Sequence, residues 1–291
     1  MPFDQDVLLW CAAIPALIAV VAAGLAWLTE SKITKGSRGQ TVAALIACLG
    51  WSAAVLVGLA ARHEWQWLPH EFWQQSFWAV LAAAVFLGGT TAADAAEHPW
   101  RLAAAGVLAV ATAWLAMPMG EGWEDMLPLH RNWMAAVTAS CLLNSWAIDR
   151  LARTEARRWV LWIVLAGLAG PFALAAATYG ALSEWTLSAL AATVSFAVIA
   201  VAPSATSLWS VAFPALFFSA AMTAATRFYS YEDHPWWLYG IALFSPLLIA
   251  VADIPLRNRA TRWRVLTAAV FAAVLVGVCV WRGVLVGQDL S

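Results

Sequence analysis

Charge is what this sequence has least of. Asp, Glu, Lys and Arg together make up 11% of its 291 residues, where a soluble domain carries roughly a quarter. Apolar residues make up 63%, so the chain has too few polar groups to cover a water-facing surface of this size. The net charge is −1, and a nucleic-acid partner, which needs a basic face, is not expected. Cysteine is scarce too. Cys11, Cys48, Cys141 and Cys279 stand singly in apolar runs with no CxxC pair, which excludes a readable zinc site, redox motif or disulfide framework. They are expected to pack as small apolar residues.

Catalytic signatures are also missing. The chain has no GxSxG, GxGD, DDxxD, GxxxxGK[ST] or CxxCH, and its connections are too short to hold a soluble catalytic domain. No catalytic residue is named, no cofactor is called for, and the reading leans away from an enzyme. Ionisable residues are absent from the middle of the apolar runs; Asp94, Asp149 and Asp253 fall at run ends, near arginines. Ion-coupled pumps usually show more charge at mid-depth.

Long apolar runs are what is present. A bilayer span needs about 20 mostly apolar residues, and ten runs approach that length: 7–28, 41–61, 76–94, 102–118, 133–149, 159–181, 185–202, 207–226, 236–254 and 265–286. The first follows Asp4 and Asp6 rather than basic residues. It also exceeds the roughly 7–15 apolar residues of a signal segment, so it is read as a retained helix. Several runs are rich in Ala and Gly, which suits close approach of helices. The fourth, fifth, seventh and eighth are the weakest, and the count they allow is eight to ten.

Positive charge decides among these counts, because basic residues collect on the cytoplasmic side of short loops. With ten spans, Lys32, Lys35, Arg38, Arg101, the group Arg150, Arg153, Arg157 and Arg158, and the group Arg257, Arg259, Arg262 and Arg264 share one face. Only Arg62, Arg131, Arg227 and Arg282 fall on the other, which is acidic. An error of one span in the middle would put the two four-arginine groups on opposite faces. The expected fold is therefore all-α: one integral membrane domain over 1–291, a polytopic bundle of about ten spans with both termini outside. The short loops and alanine content point to a bacterial cytoplasmic membrane.

Most of the twenty tryptophans, Trp73, Trp100, Trp133, Trp185 and Trp236 among them, lie at run ends. An amphipathic indole prefers the headgroup layer there. Trp51, deep in the second run, is the exception. The spacing of Trp78, Trp133, Trp185 and Trp237 follows from two spans and two short loops per period and does not establish a duplication.

Two sets of residues are candidates for a site. The first lies inside the spans: Asn144 with Ser140, Tyr179, and the prolines Pro171 and Pro246, to which Pro15 and Pro214 add further breaks. Broken helices and buried polar groups mark substrate sites in transporters, although interhelical hydrogen bonding explains such groups more often. The second set lies in outer connections and repeats carboxylate, imidazole and aromatic ring: His63, His70, His130 and His234 with Glu124, Asp125, Glu232 and Asp233. Imidazole and carboxylate are ligands for divalent metals. The tryptophan-rich loop 62–75 lacks the glycine and the WD pair of the haem-handling membrane proteins of cytochrome c maturation, and it gives no resemblance to them. All five histidines are read in loops, which speaks against axial ligands for a haem within the bundle.

The leading functional expectation is a transporter or permease for a small molecule or lipid precursor. The second is a non-catalytic membrane subunit or scaffold, and the third a metal- or haem-handling protein at the membrane surface. The expected partners are the lipid bilayer and, for a subunit, another membrane protein or a second copy of the chain.

Overall fold

The computed structural model describes residues 5–33, 37–63, 71–90, 99–119, 122–153, 159–176, 180–202, 206–229, 234–254 and 261–289. They form ten helical rods and no strand among the described residues. In chain order these are α1 (5–33), α2 (Ser37–Arg62), α3 (72–88), α4 (Pro99–Ala116) and α5 (Leu127–Ala152), then α6 (Val160–Ala176), α7 (Gly180–Ala200), α8 (208–229), α9 (Trp236–Asp253) and α10 (Thr261–Asp289). Seven of them, α1, α2, α4, α7, α8, α9 and α10, are long and apolar enough to cross a bilayer. The protein is an all-helical membrane protein. Of the other three, α3 and α6 are shorter, and α5 is made less apolar by His130, Arg131, Asn144 and Asp149.

Helix α8 is the axis of the bundle. Its apolar stretch is 94% buried, against 7% for that of α10, which lies on the outside. Around α8 stand α3, α4, α5, α6, α7 and α9, while α1 and α2 pack with α7 on one flank and α10 packs on α6 and α9 at the other. Small residues set the spacing on the first flank. A Cβ added at Gly50 of α2 would fall 2.1 Å from Cβ of Ala22 on α1, so the two backbones approach as only glycine permits.

Large aromatic rings fill the middle. Trp51 is fully buried, and its Nε1 donates to Thr193 Oγ1 on α7 at 2.8 Å. Trp185 of α7 is equally enclosed, with Nε1 donating to the Val55 carbonyl at 3.2 Å. Phe218 meets Trp185 edge to face at 4.9 Å and Trp51 at 5.9 Å. Trp73 lies 5.3 Å from Trp185 and is also buried. These two tryptophans depart from the belt expected at helix ends: neighbouring helices enclose both rings, and the Trp185 indole, whose N–H finds a carbonyl, can be buried. Trp100, Trp236, Trp237 and Trp263 do remain exposed near helix ends.

Polar side chains join helix ends. Arg62 at the end of α2 and His63 beside it both reach Glu184 at the start of α7, at 3.4 and 3.2 Å. Arg101 of α4 pairs with Asp149 of α5 at 3.3 Å, and Arg264 of α10 holds Asp253 of α9 at 2.6 Å. Glu30 near the end of α1 accepts from the hydroxyl of Thr206, and from the Ser207 N–H at 3.1 Å and Oγ at 2.7 Å. The carboxylate thus meets the open N–H groups where α8 begins.

A division into two halves of five helices would pair α1 with α6. Their surroundings differ. Helix α6 packs on α7, α8, α9 and α10, whereas α1 packs chiefly on α2 and α7.

Candidate functional site

Two helices with internal prolines, α6 and α9, touch one another. Proline has no N–H and crowds the carbonyl four residues earlier, so Pro171 leaves the Gly167 carbonyl without its helical partner and Pro246 does the same to Ala242. Each carbonyl is served by a hydroxyl. Ser219 Oγ of α8 donates to the Gly167 oxygen at 2.7 Å, and Ser245 Oγ donates to the Ala242 oxygen at 3.2 Å. The two breaks abut. A Cβ at Gly167 would meet Pro246 Cγ at 3.2 Å, and one at Gly170 would meet Ala242 Cβ at 3.0 Å.

Asn144 and Ser140 of α5 complete this arrangement. Asn144 Nδ2 donates to the Leu243 carbonyl at 2.8 Å and to Ser140 Oγ at 3.1 Å, while its Oδ1 accepts from the Leu247 N–H at 2.9 Å. Ser140 Oγ donates to the same Leu243 carbonyl at 2.7 Å. One amide hydrogen of Asn144 and its carboxamide oxygen are therefore spent on holding α9, and the other hydrogen on Ser140 of its own helix. Asn144, Pro171 and Pro246 share one locality through these bonds and the Gly167 contact; Tyr179 lies outside the described residues.

The outer set separates into two places. His63 belongs with Arg62 and Glu184. His130 and His234 instead join an aromatic group in which Trp123, Trp133, Phe228 and Tyr239 meet edge to face or tilted. The His130 ring lies 4.6 Å from Phe228 and 6.0 Å from Trp123, Trp133 lies 5.4 Å from Tyr239, and Tyr239 lies 5.9 Å from His234. His130 is in the first turn of α5 rather than in a loop, because α5 begins at Leu127 with Pro128 near its start, a position where proline costs no bond. It is 1% exposed, and neither ring nitrogen has a hydrogen-bond partner among the described residues. Burial holds its pKa below the ordinary histidine value.

Glu124 accepts from the Gly122 N–H at 2.9 Å in its own turn, and both Glu124 and Asp125 are exposed. His70, Glu232 and Asp233 lie outside the described residues. Among the described residues, no three metal-ligating side chains come together.

Two residues that the sequence did not single out complete the picture: Ser219, which serves the Pro171 break, and Glu184, which holds Arg62 and His63. Nothing local marks them, since serine is common in apolar helices and Glu184 reads as one more acidic residue of an outer loop. No protein-family model, no curated protein and no solved structure matches this chain.

Proposed function

We propose that the chain crosses the membrane ten times with both termini outside, in a bacterial cytoplasmic membrane, and acts as a transporter or permease for a small molecule or lipid precursor. The pairing of helix ends supports the crossing pattern. Alternation puts the end of α2 with the start of α7, the start of α4 with the end of α5, the end of α9 with the start of α10, and the end of α1 with the start of α8. The four polar links join those same ends.

The observation that carries the transport reading is the abutting pair of proline breaks in α6 and α9. Helices interrupted at mid-length can pivot about the break, and alternating access uses discontinuous helices in this way. The freed carbonyls are held by serine hydroxyls, which can exchange partners as the halves tilt.

The test needs no substrate. Spin labels are placed in pairs across the two ends of α6 and α9, at Trp162 with Val251 and at Ala176 with Trp236, in lipid nanodiscs. Pulsed dipolar distances should show two populations at each end, changing in opposite senses. A single narrow distance at both ends would overturn the reading.

One observation favours a membrane subunit instead. Trp263, Leu266, Val270, Val274 and Trp281 are all exposed along α10, at spacings that fall on one helix face. A partner helix or second copy would cover that stripe, and a stable complex on purification would favour this alternative.

A further inference from the structure

A cleft of about 420 Å³ opens among α3, α4, α5 and α8 at the end of the bundle that carries Arg101, Asp149, Arg150 and Arg153. Three guanidinium groups face it and one carboxylate. The positive-inside tendency accounts for Arg150 and Arg153, which are exposed at the end of α5. It does not account for Arg101. That side chain is buried, with 4% of the residue exposed, and its guanidinium rests 4.9 Å from the Phe213 ring centre. Nη2 reaches Asp149 at 3.3 Å, while Nη1 is buried with no hydrogen-bond partner among the described residues. A buried cationic donor left open is costly, and a tetrahedral oxyanion is the partner that a guanidinium fork fits best.

The other walls are apolar: Leu87, Leu102 and Leu142 line the cleft. Leu102 is 71% exposed and Trp146 55%, so the apolar lining continues onto the outer surface of the bundle, where acyl chains lie. Trp146 and Arg150 also line a second groove of about 250 Å³ between α5 and α9. Arg150 stacks on Trp146 at 5.6 Å, and together they make a ridge with a groove on either side.

We infer that this cleft binds the phosphate of an anionic phospholipid, with Arg101 and Arg150 on the headgroup and the two acyl chains in the grooves flanking Trp146. Basic pockets between helices at the cytoplasmic surface hold anionic headgroups by this chemistry. The assignment stands apart from the transport reading, since a lipid held here can be cargo or a fixed companion.

The test is native mass spectrometry of the full chain in detergent, titrated with dioctanoyl phosphatidylglycerol, dioctanoyl phosphatidylcholine or inorganic phosphate. One phosphatidylglycerol should be retained at least tenfold more tightly than phosphatidylcholine, and Arg101→Gln should lose that preference. Because Arg101→Gln also disturbs Asp149 and can unfold the chain, Arg150→Gln, at an exposed position, is the deciding variant and should weaken binding about tenfold. Equal retention of the two lipids, or phosphatidylglycerol binding unchanged in Arg150→Gln, would overturn the site. Inorganic phosphate binding as tightly as the lipid, with the same arginine dependence, would overturn the lipid as its occupant.

Discussion

Asn144 on α5 answers for Pro246 on α9. Its carboxamide bonds to both the Leu243 carbonyl and the Leu247 N–H, two groups that pair with each other in a regular helix. A side chain from one helix thereby serves the backbone beside a proline in another. The same logic links Ser219 to Pro171 through the Gly167 carbonyl.

That coupling can be measured. Asn144→Ala should destabilise the protein by about 1–3 kcal/mol, the cost of leaving buried backbone groups unserved. In a Pro246→Ala background Leu243 and Leu247 regain each other, and the cost should fall below about 1 kcal/mol. Unfolding by denaturing detergent in a double-mutant cycle gives the coupling energy. Additive costs would show that Asn144 does not serve the kink.

Ser219→Ala should cost about 1 kcal/mol, and most of that should vanish with Pro171→Ala, which restores an N–H to the Gly167 carbonyl. The same cycle reads it. A cost that persists would place the role of Ser219 elsewhere.

Gly50 tests the packing of α1 on α2. With Ala22 Cβ only 2.1 Å from the added methyl, the backbones must separate, so Gly50→Ala should destabilise by about 1–3 kcal/mol. Gly24, with nothing within 4 Å of its would-be Cβ, should accept alanine without loss. Thermal aggregation in detergent compares the two, and equal stability would contradict the close approach.

His130 carries a pH dependence in the first turn of α5, ahead of the apolar stretch 133–149. Its folded pKa is lowered by burial, so the unfolded chain takes up a proton more readily. Stability is then full above the unfolded value of about 6.5 and is lost as pH falls below it. His130→Phe keeps the ring packing and removes two unserved nitrogens. It should unfold at the same or a higher temperature at pH 7, with a smaller loss at pH 5. A marked drop at pH 7 would mean that the imidazole makes a bond the packing does not explain.

Much of the fold was legible because bilayer thickness sets segment length. The ten runs read from hydropathy overlap ten helical rods, of which seven are long and apolar enough to cross a bilayer, and the largest departures are at ends: α5 starts at Leu127 rather than near 133, since Pro128 and His130 extend the helix past the apolar core. The site was legible only in its parts. Asn144, Pro171 and Pro246 stand out in the sequence as polar or helix-breaking residues in apolar runs. Their convergence does not, because it depends on which faces of α5, α6 and α9 meet. His130 and His234 read as water-facing ligands, yet aromatic rings from α5, α8 and α9 enclose them. Trp73 and Trp185 read as interfacial for the same reason.

By itself the sequence determined that this protein is helical and lives in a membrane. In hydrocarbon every backbone group must be satisfied within its own segment, and apolar length is visible residue by residue. Only the tertiary structure decided that two proline-containing helices share one contact and that Asn144 is spent on one of them. It also decided that Arg101 is buried in the wall of a cleft, beside Asp149 and Phe213. Those facts depend on helix rotation and neighbour choice, which small-residue packing and hydrogen bonds between distant positions settle together, and no stretch of sequence records them alone.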